Sequence, residues 1–436
     1  MRGTFQGLIS ACLLICLFIL LCGIGPCERG YFIRGTVDGD VCSDVTINLT
    51  GDITFSTTTS SDGSYFFRGV DNGTYTVSPS LSNYVFNPAS KTFTISGDNE
   101  TGVDFTCFNI RVWEFETGDQ IWFSSPALAN GHVYIGSRDG KVYCLDAVSG
   151  LKIWEHVFEY GMDSSPALSG EYVYVTCGGS GDLFCLNAET GEIIWVYDDA
   201  NIESSPAISG GFVYAGGYGE TKVYCLTADN GTEVWTYETG GVVQSTPVIS
   251  DGYVYVGCWD HKVYCLNAAT GEKVWEYETG EGVQASPTVS EGYVYVGSLD
   301  SKVYSLNAAT GEKVWEYETG YSIGAAPVIS GEYVYVGSGD NKMYCLNAST
   351  GGKVWEFATG NQIGSVSEIS GGYVYVGSSD KKVYCLNADT GSKVWEYETG
   401  HAIACSTPAI WDGYVYVGSL DHKVYCLKAA GEDNGL

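Results

Sequence analysis

A tryptophan recurs along this chain at Trp113, Trp154, Trp195, Trp235, Trp275, Trp315, Trp355 and Trp395, in steps of 41, 41, 40, 40, 40, 40 and 40 residues. That period restricts the fold more than any other feature. A repeat of about 40 residues with four strands cannot bury its apolar faces alone; it stacks against its neighbours as a blade of a β-propeller. The repeat around Trp275 shows the four strands. Strand A is the run Gln284 to Ser290, strand B is Tyr253 to Val256, strand C is Lys262 to Leu266 and strand D is Lys273 to Tyr277. An Asp-x-Lys turn joins B to C, and Thr270-Gly271 leads into D. Both faces of B and C are apolar, as a blade held between two others requires.

The ends of the array set the blade number. It opens with a lone D strand, Arg111 to Phe115, and closes with A, B and C alone, at Thr407 to Ile410, Tyr414 to Val417 and Lys423 to Leu427. These pieces combine into an eighth blade and leave no free sheet edge at the seam. The expected fold class is therefore all-β, with an eight-bladed propeller over residues 108–436 closed by its N-terminal D strand.

Composition agrees. The chain has 58 Gly and 33 Tyr, and only 17% of its residues are charged, which excludes disorder. Its 52 Asp+Glu against 21 Lys+Arg give a net charge of −31. No basic footprint exists for nucleic acid or for an anionic membrane surface.

Residues 1–30 stand apart. Arg2 precedes an apolar run from Leu8 to Cys22, which reads as a secretory signal. The uncharged run from Gly3 to Cys27 is also long enough to span a bilayer, so an uncleaved signal-anchor attached to the membrane is the alternative. Leu21 and Pro26 stand where a lipidated Cys22 or Cys27 would want a small residue. Either way the rest of the chain is expected outside the cytoplasm, secreted or at the cell surface. There Cys42 and Cys107 could form a disulfide. Seven of the repeat cysteines recur at one position and read as small buried apolar residues.

Residues 31–107 hold short alternating runs separated by turns such as Asp62-Gly63 and Asn72-Gly73. The runs are Ile33 to Val37, Val45 to Leu49, Ser64 to Phe67, Thr74 to Val77, Thr92 to Ile95 and Val103 to Phe105, and they point to a small antiparallel β-sandwich. The patterns Ile33-x-Gly-x-Val37, Asp62-Gly-x-Tyr-x-Phe67 and Gly73-Thr-Tyr-Thr-Val77 resemble carboxypeptidase regulatory-like domains, which implies a rigid spacer.

The stretch Leu266-Asn-Ala-Ala-Thr-Gly-Glu-Lys-Val-Trp275 resembles the tryptophan-docking motif of quinoprotein dehydrogenase propellers. That resemblance implies a structural role for Trp154, Trp195, Trp235, Trp275, Trp315, Trp355 and Trp395, each packed between neighbouring blades. It does not imply an enzyme, because such repeats also build non-catalytic propellers similar to the lipoprotein of the outer-membrane assembly machinery. The family's enzymes carry pyrroloquinoline quinone (PQQ) at the ring axis, calcium, an acidic base and, in several subfamilies, adjacent cysteines. No Cys-Cys pair occurs here, and four strands leave each repeat only turns of a few residues, too little for an inserted cofactor loop. No cofactor is expected; PQQ and calcium belong to the alternative, a PQQ- and calcium-dependent oxidoreductase.

The repeats vary most usefully three residues before the strand-A proline or its equivalent. The series there is Phe123, Asp163, Glu203, Gln244, Gln284, Gly324, Gly364 and Cys405. Strand A is innermost, so these residues ring one mouth of the channel. Asp163, Glu203, Gln244 and Gln284 form a polar arc suited to a cation, a sugar or a peptide, or to a lining of water. His261 and His422 sit in equivalent turns four blades apart, so they cannot share a metal, and the other three His are scattered. Gly178 to Asp182 is Gly-rich but precedes no helix and reads as a slack turn. The leading expectation is an exported, non-catalytic, monomeric scaffold that binds an extracellular protein or glycan.

Overall fold

The computed structural model describes residues 30–198, 201–219, 221–365 and 367–431. The export segment expected over residues 1–30 lies almost wholly outside them. All regular structure among the described residues is β, and no helix there is long and apolar enough to cross a membrane. The chain divides into two compact units between Phe108 and Asn109, and each is described by itself.

The first unit is a sandwich of β1 (Tyr31–Gly39), β2 (Thr46–Gly51), β3 (Phe55–Thr58), β4 (Ser64–Val70), β5 (Gly73–Ser80), β6 (Tyr84–Asn87), β7 (Lys91–Ile95), β8 (Glu100–Thr101) and β9 (Phe105–Asn109). One sheet runs β4-β1-β9-β6 with β8 beside β1, and the other runs β3-β2-β5-β7. Alternation builds the core: Ile33 and Val37, Ile47 and Leu49, Tyr65 and Phe67, and Tyr75 and Val77 all point inward and are buried. Two things differ from expectation. Strands β3, β6 and β8 were not legible, because they are short and carry few buried apolar residues. Moreover, β1 runs parallel to β8 and β9, so one sheet is mixed. Such a pairing joins distant segments and leaves no local turn signal. Cys42 and Cys107 are both free thiols here.

In the second unit β10 (Arg111–Glu116) stands alone at the start. Seven four-stranded meanders follow: β11–β14 over 127–157, β15–β18 over 167–197, β19–β22 over 207–238, β23–β26 over 248–278, β27–β30 over 288–318, β31–β34 over 328–358 and β35–β38 over 368–398. The last strands, β39 (Ala409–Trp411), β40 (Tyr414–Ser419) and β41 (Lys423–Lys428), form a sheet with β10, which pairs antiparallel with β41 through Trp113↔Cys426 and Phe115↔Val424. Each innermost strand approaches the next in order, and β39 approaches β11, so the series closes into a ring.

Strand A is shorter than its sequence run. Only Thr288–Ser290 is laddered in the run from Gln284. Pro287 offers no N–H to a ladder. The residues before it bond between sheets instead. Ser125 N–H donates to Ser165 Oγ at 2.9 Å, Ser165 N–H to Ser205 Oγ at 2.8 Å, and Thr407 N–H to Ser125 Oγ at 2.9 Å across the seam.

One lock repeats between the sheets. Trp154 Nε1 and Tyr134 Oη both donate to the carbonyl of Ala188 in the next sheet, at 2.9 and 3.1 Å. Gly191 lies under the same indole. It has φ +72°, and a Cβ there would sit 2.6 Å from the Trp154 ring, so conformation and space both demand glycine. The lock recurs with Trp113, Trp195, Trp235, Trp275, Trp315 and Trp355. Trp395 lacks the bond. It is buried, but Nε1 has no partner among the described residues, and Tyr375 Oη instead accepts from Ala430 N–H. The chain after β41 reads Lys428-Ala-Ala-Gly431 and lacks the Asn-x-x-Thr-Gly turn. Trp113, on the lone first strand, makes its lock at a different interface, from the closing sheet to Ala147 of the first meander. The repeat cysteines are buried, as expected of small core residues, and desolvation raises Cys225 to about 11.

Candidate functional site

The meander order fixes which residues share an end of the ring. The turns between second and third strands, and the connections from each fourth strand to the next sheet, lie together at one end. All eight residues of the variable series, Asp163, Glu203, Gln244 and Gln284 among them, border one cavity of about 730 Å³ there. The structure therefore gathers the sequence-predicted arc into a single site at the channel mouth.

The arc is internally bonded. Asp163 receives two hydrogen bonds from the Arg138 guanidinium, from Nε at 2.8 Å and from an Nη at 3.0 Å. That guanidinium lies 4.3 Å over the Trp122 ring. Gln284 Nε2 donates to Gln244 Oε1 at 3.1 Å, and Trp259 Nε1 donates to the same oxygen at 3.3 Å. Glu203 is different: burial first, and the charge of Asp163 second, push its carboxyl above the usual range. Cys405 is raised to about 11 by burial, with Asp163 adding to it. The mouth thus offers a neutralised Asp–Arg pair, a strained-to-ionise carboxylate and a tied pair of amides.

Aromatic rings stand around this arc. Tyr160, Tyr218, Trp259 and Tyr321 are exposed. Tyr160 lies against Gly179 and Tyr321 against Gly339, where an added Cβ would meet each ring at 2.7 Å. Arg138, Trp122 and Trp259 were missed in the sequence reading. For Arg138 and Trp259 a signal was there, in a second variable position. The second turn residue reads Arg138, Gly178, Tyr218, Trp259, Leu299, Gly339, Ser379 and Leu420 around the ring.

Elsewhere the expected histidines stay apart. His261 faces Glu281 and His422 faces Asp119, each at 3.8 Å, in sheets four places apart. Gly178 to Asp182 forms a turn of its sheet, beside the mouth. Among the described residues no three His, Cys, Asp or Glu side chains converge as metal ligands.

Comparisons with known proteins agree with this architecture. Residues 162–366 match the family model described as beta-alanine-activating enzyme, beta-propeller, and residues 318–433 match that of outer membrane protein assembly factor BamB. Residues 29–107 match the model of BOS complex subunit NOMO1-like, second beta sandwich domain. No curated protein matches the chain. Among solved structures, BamB from Moraxella catarrhalis aligns with TM-score 0.64 at 22% identity, covering 73% of this chain and 99% of its own. The computationally designed Ika8 protein aligns at 0.67 and 15%, covering 73% and 99%. A europium-containing methanol dehydrogenase aligns at 0.62 and 14%, covering 73% and 93%. At these identities the likeness shows the fold. The ring is a propeller similar to BamB and to the quinoprotein dehydrogenases, preceded by a NOMO1-like sandwich.

Proposed function

We propose that this protein is an exported, non-catalytic scaffold that works at the cell surface and binds a protein or glycan at the variable mouth of its propeller. One observation carries the reading. Five of the eight sheets share the Asn-x-x-Thr-Gly turn at one end, yet at the mouth every sheet presents its own combination of residues at two positions, from Phe123 with Arg138 to Cys405 with Leu420. Eight equivalent turns with the same packing duties have no structural need to differ. Asymmetry concentrated at one end is what an asymmetric ligand requires.

The chemistry suits a polar, partly flat ligand. Exposed rings supply stacking surface, while the Gln244–Gln284 pair and Glu203 supply directional hydrogen bonds. The short loops suit broad contact more than enclosure. The likeness of the ring to BamB supports a scaffold; the likeness to methanol dehydrogenase supports the oxidoreductase alternative. The test uses the full chain with a panel of oligosaccharides and purified surface proteins, beside a variant carrying Glu203→Ala and Trp259→Ala. A ligand bound about tenfold less tightly by the variant supports the proposal. Dye-linked alcohol oxidation after addition of PQQ and calcium contradicts it.

A further inference from the structure

The outermost strand of each sheet is a free edge, and such edges invite pairing with another strand unless charge guards them. Six of the eight sheets are guarded in one way. In the fourth meander Lys262 and Lys273 both reach Glu276, each at 2.8 Å. The same basic–acidic–basic triad stands at Glu155, Glu316, Glu356, Glu396 and Glu114. A third-meander edge strand without the triad still carries Glu233 and Thr236.

The edge strand of the second meander, β18 (Ile193–Tyr197), has lost the guard altogether. Ile193 stands for the lysine of the strand, Val196 for the glutamate, and Asp182 for the lysine of the neighbouring strand. Ile193, Ile194 and Val196 are 42%, 47% and 43% exposed. Meanwhile acids bracket the apolar stretch: Glu192 precedes it, and Asp182 and Asp198 stand at its other end. A natural repeat that guards its other edges and bares this one is managing an interface.

We propose that β18 is a docking edge for an extended strand of a partner protein, apolar along its centre and carrying Lys or Arg at both ends. Backbone groups of β18 would extend the ladder, its apolar side chains would pack on the partner's, and the bracketing acids would select basic ends. A second copy of this chain fits poorly. Antiparallel pairing of two β18 strands sets Glu192 against Asp198, between molecules that each carry a net charge of −31.

The experiment uses the full chain and two synthetic peptides of alternating Val and Thr, one flanked by lysines and one by glutamates. Amide hydrogen exchange reports the site, and the variant Ile193→Lys with Val196→Glu installs on β18 the lysine and glutamate that the guarded edge strands carry. The proposal expects the lysine-flanked peptide to bind about tenfold tighter than the other and to protect amides at 193–197. It expects the variant, with unchanged thermal unfolding, to lose that binding. It is overturned if neither peptide binds, if the variant binds equally, or if protection falls on another edge. Self-association of the wild-type chain that the variant abolishes would make a second copy the occupant and overturn it too.

Discussion

Trp315 and Trp395 occupy equivalent places in a repeated strand, yet only the first donates its indole N–H, at 2.8 Å to Ala348. Replacing each by Phe separates that bond from ring burial, since both side chains are buried. Trp315→Phe is expected to destabilise the chain by about 1 kcal/mol more than Trp395→Phe, the usual worth of one hydrogen bond, as measured by urea unfolding. Equal losses would show that the lock does not depend on the bond. The same comparison marks what residue-level reading could see. The Trp period was plain, but that Trp395 lacks an acceptor follows from the Lys428-Ala-Ala-Gly431 ending, three strands away from it. Likewise Asp163 and Glu203 were legible as odd residues in a constant frame, whereas the hold of Arg138 on Asp163 spans 25 positions and appears only in three dimensions.

At the scale of elements, the edge strands make a statement about pH. Hydrogen bonds from Lys262 and Lys273 hold the Glu276 carboxyl below the usual range, and Glu316 and Glu356 are lowered in the same way by their own lysine pairs. A carboxyl lowered in the folded state stabilises it above the unfolded value, and that contribution is lost as pH falls through the folded one. The triads therefore support the edges at neutral pH and fail in acid, below about 4.5. Urea midpoints are expected to fall between pH 6 and pH 3, and to fall less in a chain carrying Glu276→Gln, Glu316→Gln and Glu356→Gln. An identical fall in both would locate the acid sensitivity elsewhere. Strands B, C and D were readable because each combines alternation with a turn signal. The bounds of strand A and the parallel pairings of β1 were not: Pro287 shortens the first, and the second join residues some 70 positions apart, as Val37 with Phe105.

For the molecule as a whole, the unmatched ends of the array gave the closure away. A lone first strand and a three-stranded finish have one economical solution, and the pairing of Arg111–Glu116 with Lys423–Lys428 is that solution. Function was less legible because it is written in exceptions to the repeat, and exceptions acquire meaning only once they are seen to face one cavity. The most direct test levels that face. Replacing Asp163, Glu203, Gln244 and Gln284 by Gly copies the residue that Gly324 and Gly364 already place at the mouth, while a second chain with Glu272→Ser and Glu312→Ser alters only the opposite end. Binding of the surface protein or glycan identified with the wild type is then measured for both. The account predicts that the levelled chain loses the ligand and the second chain keeps it, with both folded. Retention of the ligand by the levelled chain, or its loss from the second, would contradict a binding face at the variable mouth.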